Sequence, residues 1–95
     1  MARKYEAVFI LNPAIGDDAI TATTEKIKGL IESEATIDQF DVWGRRRLAY
    51  EIEDQKEGYY VLVNFSSEAE FPKELERVLK ITDGVIRYMV IRADD

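Results

Sequence analysis

Three features of the sequence predict an α+β domain with the element order β-α-β-β-α-β. Apolar runs rich in β-branched and aromatic residues occupy positions 4–12, 36–53, 59–65 and 85–92. Two stretches with apolar residues at helical spacing, at 16–34 and from about 71 onward, lie between them. Turn signals, namely Asn12-Pro13, Gly58 and Asp83-Gly84, fall at the boundaries. A chain of 95 residues supports one core, so a single domain over 1–95 is expected, with Ala93-Asp94-Asp95 as a short acidic tail.

The first run is apolar at nearly every position after Glu6 and reads as a central strand. In the helix that follows, Gly16 and Asp17 offer the start. Asp17 and Asp18 place negative charge at the positive end of the helix dipole. Ile20, Thr23 or Thr24, Ile27, Leu30 and Ile31 form its apolar stripe. Residues 36–43 and 45–53 read as one long strand interrupted at Gly44, where a bulge or bend is expected. In its second half Leu48, Tyr50 and Ile52 share one face, and Arg47, Ala49 and Glu51 the other. Residues 54–58 read as a hairpin loop, and 59–65 as the third strand. The second helix has two possible starts: a cap at Ser67 with Glu70 three residues on, or a start near Phe71 with Pro72 in the first turn. Its stripe is Phe71, Leu75, Val78, Leu79 and Thr82. Residues 85–92 are the fourth strand.

This order is the ferredoxin-like βαββαβ arrangement, a four-stranded antiparallel sheet with two helices on one face. Right-handed crossovers put both helices on the same side. The other face should be polar if it only meets water. Alternation assigns Tyr5, Ala7, Phe9 and Leu11 to the core with Tyr59, Val61, Val63, Phe65, Ile86, Tyr88 and Val90. The open face is then left with Val8, Ile10, Tyr60, Leu62, Met89 and Ile91, with Ala49 nearby. Such a patch lies near the upper range for a soluble monomer. Full burial of each large apolar side chain contributes roughly 1.5–3 kcal/mol, so a protein partner on this face is the expected reading. The plain alternative is that strand propensity alone favours these residues.

The composition excludes several chemistries. Without cysteine there is no disulfide, thiol nucleophile or zinc ribbon, and without histidine the usual general base and metal ligand are missing. No glycine-rich phosphate loop is present, and the Asp17-Asp18 and Asp94-Asp95 pairs do not make an acid–base or metal pair. No catalysis, cofactor, metal site or small-molecule substrate is expected. No apolar run approaches the roughly 20 residues that span a bilayer, and the run 7–11 is short for a signal peptide, so no membrane role and a cytoplasmic location are expected.

The net charge of −6 argues at first against a nucleic-acid partner. The sum hides a cluster, however: Arg45-Arg46-Arg47 follow Trp43-Gly44 in the long strand. Arginine offers a planar fork of donors that matches phosphate oxygens, and Arg3 and Lys4 open the chain. The competing reading is a solvated basic cluster balancing nearby acids. Trp43 is expected at the edge of the core, with stacking on a base as the other option. Three phosphate contacts predict a log–log salt slope of only about −2 to −3. The third strand also lacks the basic residue and paired phenylalanines of an RNA-recognition module. An RNA-bound assembly protein that needs a second protein fits both the arginines and the apolar face. A self-associating ferredoxin-like regulatory module that binds a small ligand is the alternative.

Tyr5-Glu6, Asn12-Pro13, the string Trp43-Gly44-Arg45-Arg46-Arg47-Leu48-Ala49-Tyr50-Glu51-Ile52, Gly58-Tyr59, and Leu75, Leu79, Ile81 and Asp83 together resemble the bacterial small-subunit ribosomal protein six family over essentially the whole chain. The resemblance implies a structural role in the small ribosomal subunit and a ribosome-bound location. It further implies pairing with ribosomal protein eighteen of that subunit, and binding of the pair to the central domain of small-subunit ribosomal RNA. By the matching motif, Arg45, Arg46 and Arg47 are the candidates for RNA contact, with Arg3 and Lys4 behind them. Many members of the family carry longer tails after the fourth strand.

Overall fold

The computed structural model describes the backbone of residues 2–52 and 55–93, and the side chains of all of these except residues 51, 52 and 55. Elements follow the predicted order: β1 (Arg3–Leu11), a 3-10 turn (Pro13–Ile15), α1 (Asp17–Glu34), β2 (Thr36–Ile52), β3 (Gln55–Ser67), α2 (Phe71–Ile81) and β4 (Val85–Arg92). The strands form one antiparallel sheet in the order β2-β3-β1-β4. Asp94 and Asp95 of the acidic tail lie outside the described residues, as does Asp54 of the expected hairpin loop.

The helix-covered face follows the predicted alternation. Ala7, Phe9 and Leu11 from β1 and Val61, Val63 and Phe65 from β3 are fully buried. Ile27 and Ile31 of α1 and Leu75 and Leu79 of α2 close over them. Phe65 stacks on Tyr5 at 5.7 Å between ring centroids and meets Phe71 edge-on at 5.6 Å. Between Thr23 and Thr24, the structure selects Thr24 for the buried stripe, where its hydroxyl donates to the Ile20 carbonyl at 2.8 Å. That bond removes the cost of burying a hydroxyl.

Of the two starts for the second helix, the later one holds. Ser67 ends β3, and its hydroxyl donates to the Glu68 carbonyl rather than capping a helix. Pro72 lies in the first turn of α2, where the missing N–H is not needed.

The long hairpin departs from expectation. Residues 55–58, expected in a loop, belong to β3. Pairing of β3 with β1 ends at Leu11↔Tyr59, while its pairing with β2 continues through Arg45↔Tyr59 and Arg47↔Glu57 to Ile52↔Gln55. Residues 46–52 and 55–58 therefore form a two-stranded ribbon that runs beyond the end of β1. The 17 residues of β2 would extend roughly 50 Å or more if straight, yet the longest dimension of the molecule is 41 Å. Three register shifts bend the strand. One leaves Trp43 as an extra residue beside Gly44, whose φ of +78° suits a glycine bulge, as the sequence predicts. Another sets residues 48–51 opposite residue 56 alone, between the pairs Arg47↔Glu57 and Ile52↔Gln55.

Candidate functional site

The open face can be laid out as rows by strand register. Gln39, Asn64, Glu6 and Ile91 form one row; Asp41, Leu62, Val8 and Met89 the next; Tyr60, Ile10 and Arg87 the third, with Gly44 and bulged Trp43 at its β2 end. The first row is largely polar. Asn64 Nδ2 donates across strands to Gln39 Oε1 at 3.3 Å, and Gln39 Nε2 donates along β2 to Asp41 Oδ2 of the next row at 2.6 Å. The next two rows are mostly apolar. Five of the six predicted partner residues, Val8, Tyr60, Leu62, Met89 and Ile91, share this face and are partly or well exposed; Met89 is 52% exposed.

Ile10, the sixth, is on the predicted face but is only 6% exposed. The cause is the ribbon. Leu48, buried at the ribbon root, packs toward Gly58 and Ile10, and a β-carbon at Gly58 would collide with Ile10 Cγ2. Leu48 therefore covers the open face where Ala49 was expected, and Ala49 is exposed. Tyr50 follows the same course: its hydroxyl accepts from Arg87 Nη1 at 2.9 Å, joining the ribbon to β4. Ile10 underlies the face rather than presenting itself.

Trp43 is not a core-edge residue. It is 44% exposed and stacks on Tyr60, with ring centroids 6.2 Å apart and planes 16° from parallel. Val42 pairs with Val61 on the helix side, so the next residue, Trp43, turns its indole to the open face, and the bulge keeps Gly44 on that face as well. A hollow of about 200 Å³ remains between Val8, Ile10 and Tyr60 on one side and Arg87, Tyr88 and Met89 on the other.

The arginine run is divided by the pleat. Arg46 pairs with Gly58 and lies on the open-face side, whereas Arg45 and Arg47 pair with Tyr59 and Glu57 and lie on the helix side. Arg45 is engaged already: its Nη2 stands 3.1 Å from Oδ1 of Asp17, at the start of α1. Both partners are well exposed, so this ion pair is weak and open to exchange with phosphate. Arg46 and Arg47 are exposed on the ribbon. Lys56, on the opposite ribbon strand, borders the same shallow hollow as Arg47 and Glu57. Sequence reasoning missed Lys56 because it placed residues 54–58 in a loop; extending the third strand back to residue 55 brings Lys56 beside the arginines.

Arg3 and Lys4 do not join this cluster. Arg3 pairs with Ser67 at the far end of β1, and Leu11 pairs with Tyr59 next to Arg45. Eight residues of strand separate the two places, about 27 Å. Any RNA contact by Arg3 and Lys4 is thus a second, separate footprint.

Among the described residues, no group of three acidic side chains is arranged to hold a metal ion, and no helix is long and apolar enough to cross a membrane.

A family model described as ribosomal protein S6 matches residues 4–92. The chain is 57% identical over 90 residues to the small ribosomal subunit protein bS6 of Clostridium botulinum (strain Loch Maree, type A3), covering 94% of this chain and 96% of that protein. It is 48% identical over 93 residues to bS6 of Clostridium perfringens (strain SM101, type A), covering 97% and 98%. The crystal structure of 30S ribosomal protein S6 from Thermotoga maritima matches with a TM-score of 0.91 at 31% identity, over 97% of this chain and 88% of that one.

Proposed function

The chain belongs to the ribosomal protein S6 family and is a structural, non-enzymatic constituent of the small ribosomal subunit; we propose that it works there as one half of a heterodimer with ribosomal protein eighteen of the same subunit, and that the pair binds the central domain of small-subunit ribosomal RNA in the cytoplasm. One observation carries this reading. An exposed basic ribbon adjoins an apolar sheet face that no helix covers.

Each half of that arrangement supports one contact. Arg46 and Arg47, with Lys56 opposite, are the RNA-facing group of the ribbon, and Arg45 joins them by exchanging Asp17 for a phosphate. Arg3 and Lys4 form the second footprint. Val8, Tyr60, Leu62, Met89 and Ile91 are the partner surface, with Ile10 beneath it. The net charge of −6 favours a basic partner and keeps the chain's own affinity for RNA low. The hollow on the open face, about 200 Å³, is smaller than the roughly 300–1,000 Å³ of a typical ligand pocket, so this face favours a protein side chain over a small ligand.

The test is a gel-shift titration of a central-domain RNA fragment with the purified chain, with and without ribosomal protein eighteen. Weak binding alone and much tighter binding with the partner is the expected outcome. Equal binding in both cases would show the heterodimer reading to be wrong.

A further inference from the structure

We infer that the hollow on the open face takes an apolar side chain of the protein partner, and that Arg87 at its rim pairs with a carboxylate carried close to that side chain. The inference rests on the heterodimer reading and names the chemistry of its anchor point.

Three observations support it. The hollow is lined by Val8, Ile10, Tyr60 and Met89, and its volume of about 200 Å³ is on the scale of one large side chain. A concave apolar site with one placed polar group is the usual form of an anchor pocket. Secondly, Arg87 is the lining residue that carries charge, and among the described residues it has no acidic partner. It donates to the hydroxyl of Tyr50, which leaves donors of the guanidinium fork available. Thirdly, that bond biases the fork toward the hollow. Tyr50 arrives from the ribbon, 37 residues away in sequence, and holds Arg87 Nη1 at 2.9 Å beside the hollow. An arginine oriented in this way before binding loses less freedom when it meets a carboxylate. Tyr50 is accordingly a positioning residue.

A second copy of the chain is the disfavoured occupant. Two chains of net charge −6 repel one another, whereas a basic partner is attracted as a whole and needs only one local carboxylate.

The experiment is a calorimetric titration of purified ribosomal protein eighteen into the full chain and into Arg87→Lys, Arg87→Ala, Arg87→Glu, Met89→Ala and Tyr50→Phe. Arg87 and Met89 are exposed, so thermal midpoints near that of the unaltered chain are expected. Affinity should fall in the order Arg, Lys, Ala, Glu at position 87, with about a tenfold loss for Arg87→Ala and a larger one for Arg87→Glu, which sets two like charges together. Met89→Ala and Tyr50→Phe should each lose several-fold. Arg87→Glu binding as well as Arg87→Ala would overturn the carboxylate. Unchanged binding by Arg87→Ala and Met89→Ala, with the unaltered chain binding normally, would overturn the anchor point and leave the heterodimer standing. No binding by the unaltered chain would overturn both. Sedimentation of the chain alone gives one more decisive result: a homodimer that Arg87→Ala splits would put a second copy in the hollow and overturn the inference.

Discussion

The two faces of the sheet are made by alternate residues of the same strands, and they end in opposite states. Phe9 and Phe65 point one way into full burial, while their neighbours Val8, Asn64 and Ser66 point the other way and stay partly accessible. The helix-covered face is complete within the chain. On the open face Met89, Ile91 and Trp43 remain between 43% and 52% exposed. The difference teaches that strand propensity and burial are separate demands. Both faces carry β-formers, but among the described residues the helices cover only one of them.

Substitutions on the two faces should therefore separate stability from association. The largest effect is expected in the closed core. Phe65→Ala removes a fully buried ring that contacts two others, and should lower unfolding free energy by about 3–5 kcal/mol in urea titrations. A loss below about 1 kcal/mol would mean that the core is not as closed as described. Next comes Gly58→Ala, which drives a β-carbon into Ile10 on the open face. A cost of about 1–3 kcal/mol is expected, because Ile10 and Leu48 must shift together. Gly44→Ala puts a β-carbon on a residue with φ of +78° and should cost about 1–2 kcal/mol, with a measurable loss of Trp43–Tyr60 stacking in near-ultraviolet circular dichroism. Ile91→Ser, in contrast, should change stability by no more than about 0.5 kcal/mol while weakening the heterodimer.

The smallest effect concerns α2. Glu74 accepts two hydrogen bonds from Arg77, at 2.8 and 2.7 Å, and these bonds hold its carboxyl below the usual glutamate range. A carboxyl held low in the folded state adds stability above its ordinary pKa and loses it as the pH falls through the lowered one. Both groups are exposed, so the acid-side slope of stability against pH should flatten only slightly in Glu74→Gln.

Much of this arrangement was legible in the sequence. Period-two alternation identified the inward set Ala7, Phe9, Val61, Val63 and Phe65, and helical spacing identified Ile20, Ile27, Leu75 and Leu79, because each pattern follows directly from backbone geometry. What alternation could not supply was register across the bulges. An extra residue at Trp43 reverses the face of everything after it in a simple count, which is why Leu48 rather than Ala49 lies over Ile10. The arginine motif was visible, but its division between two faces was not, since that depends on which strand each arginine opposes. Lys56 was hidden by the polar, glycine-terminated segment that resembles a loop and is in fact ribbon.

The sheet order has a consequence in time. β1 is the first strand made, and it lies between β3 and β4, pairing Tyr5 with Arg92. A contact that joins nearly the whole length of the chain closes a large loop, so it forms late and slowly compared with local pairs. During synthesis the β2–β3 hairpin can zip as soon as residue 67 has emerged. β1 keeps one edge unpaired until the last strand arrives. A nascent chain stalled before residue 85 would present that edge, with Phe9 and Leu11 on it, to any other unfinished strand nearby.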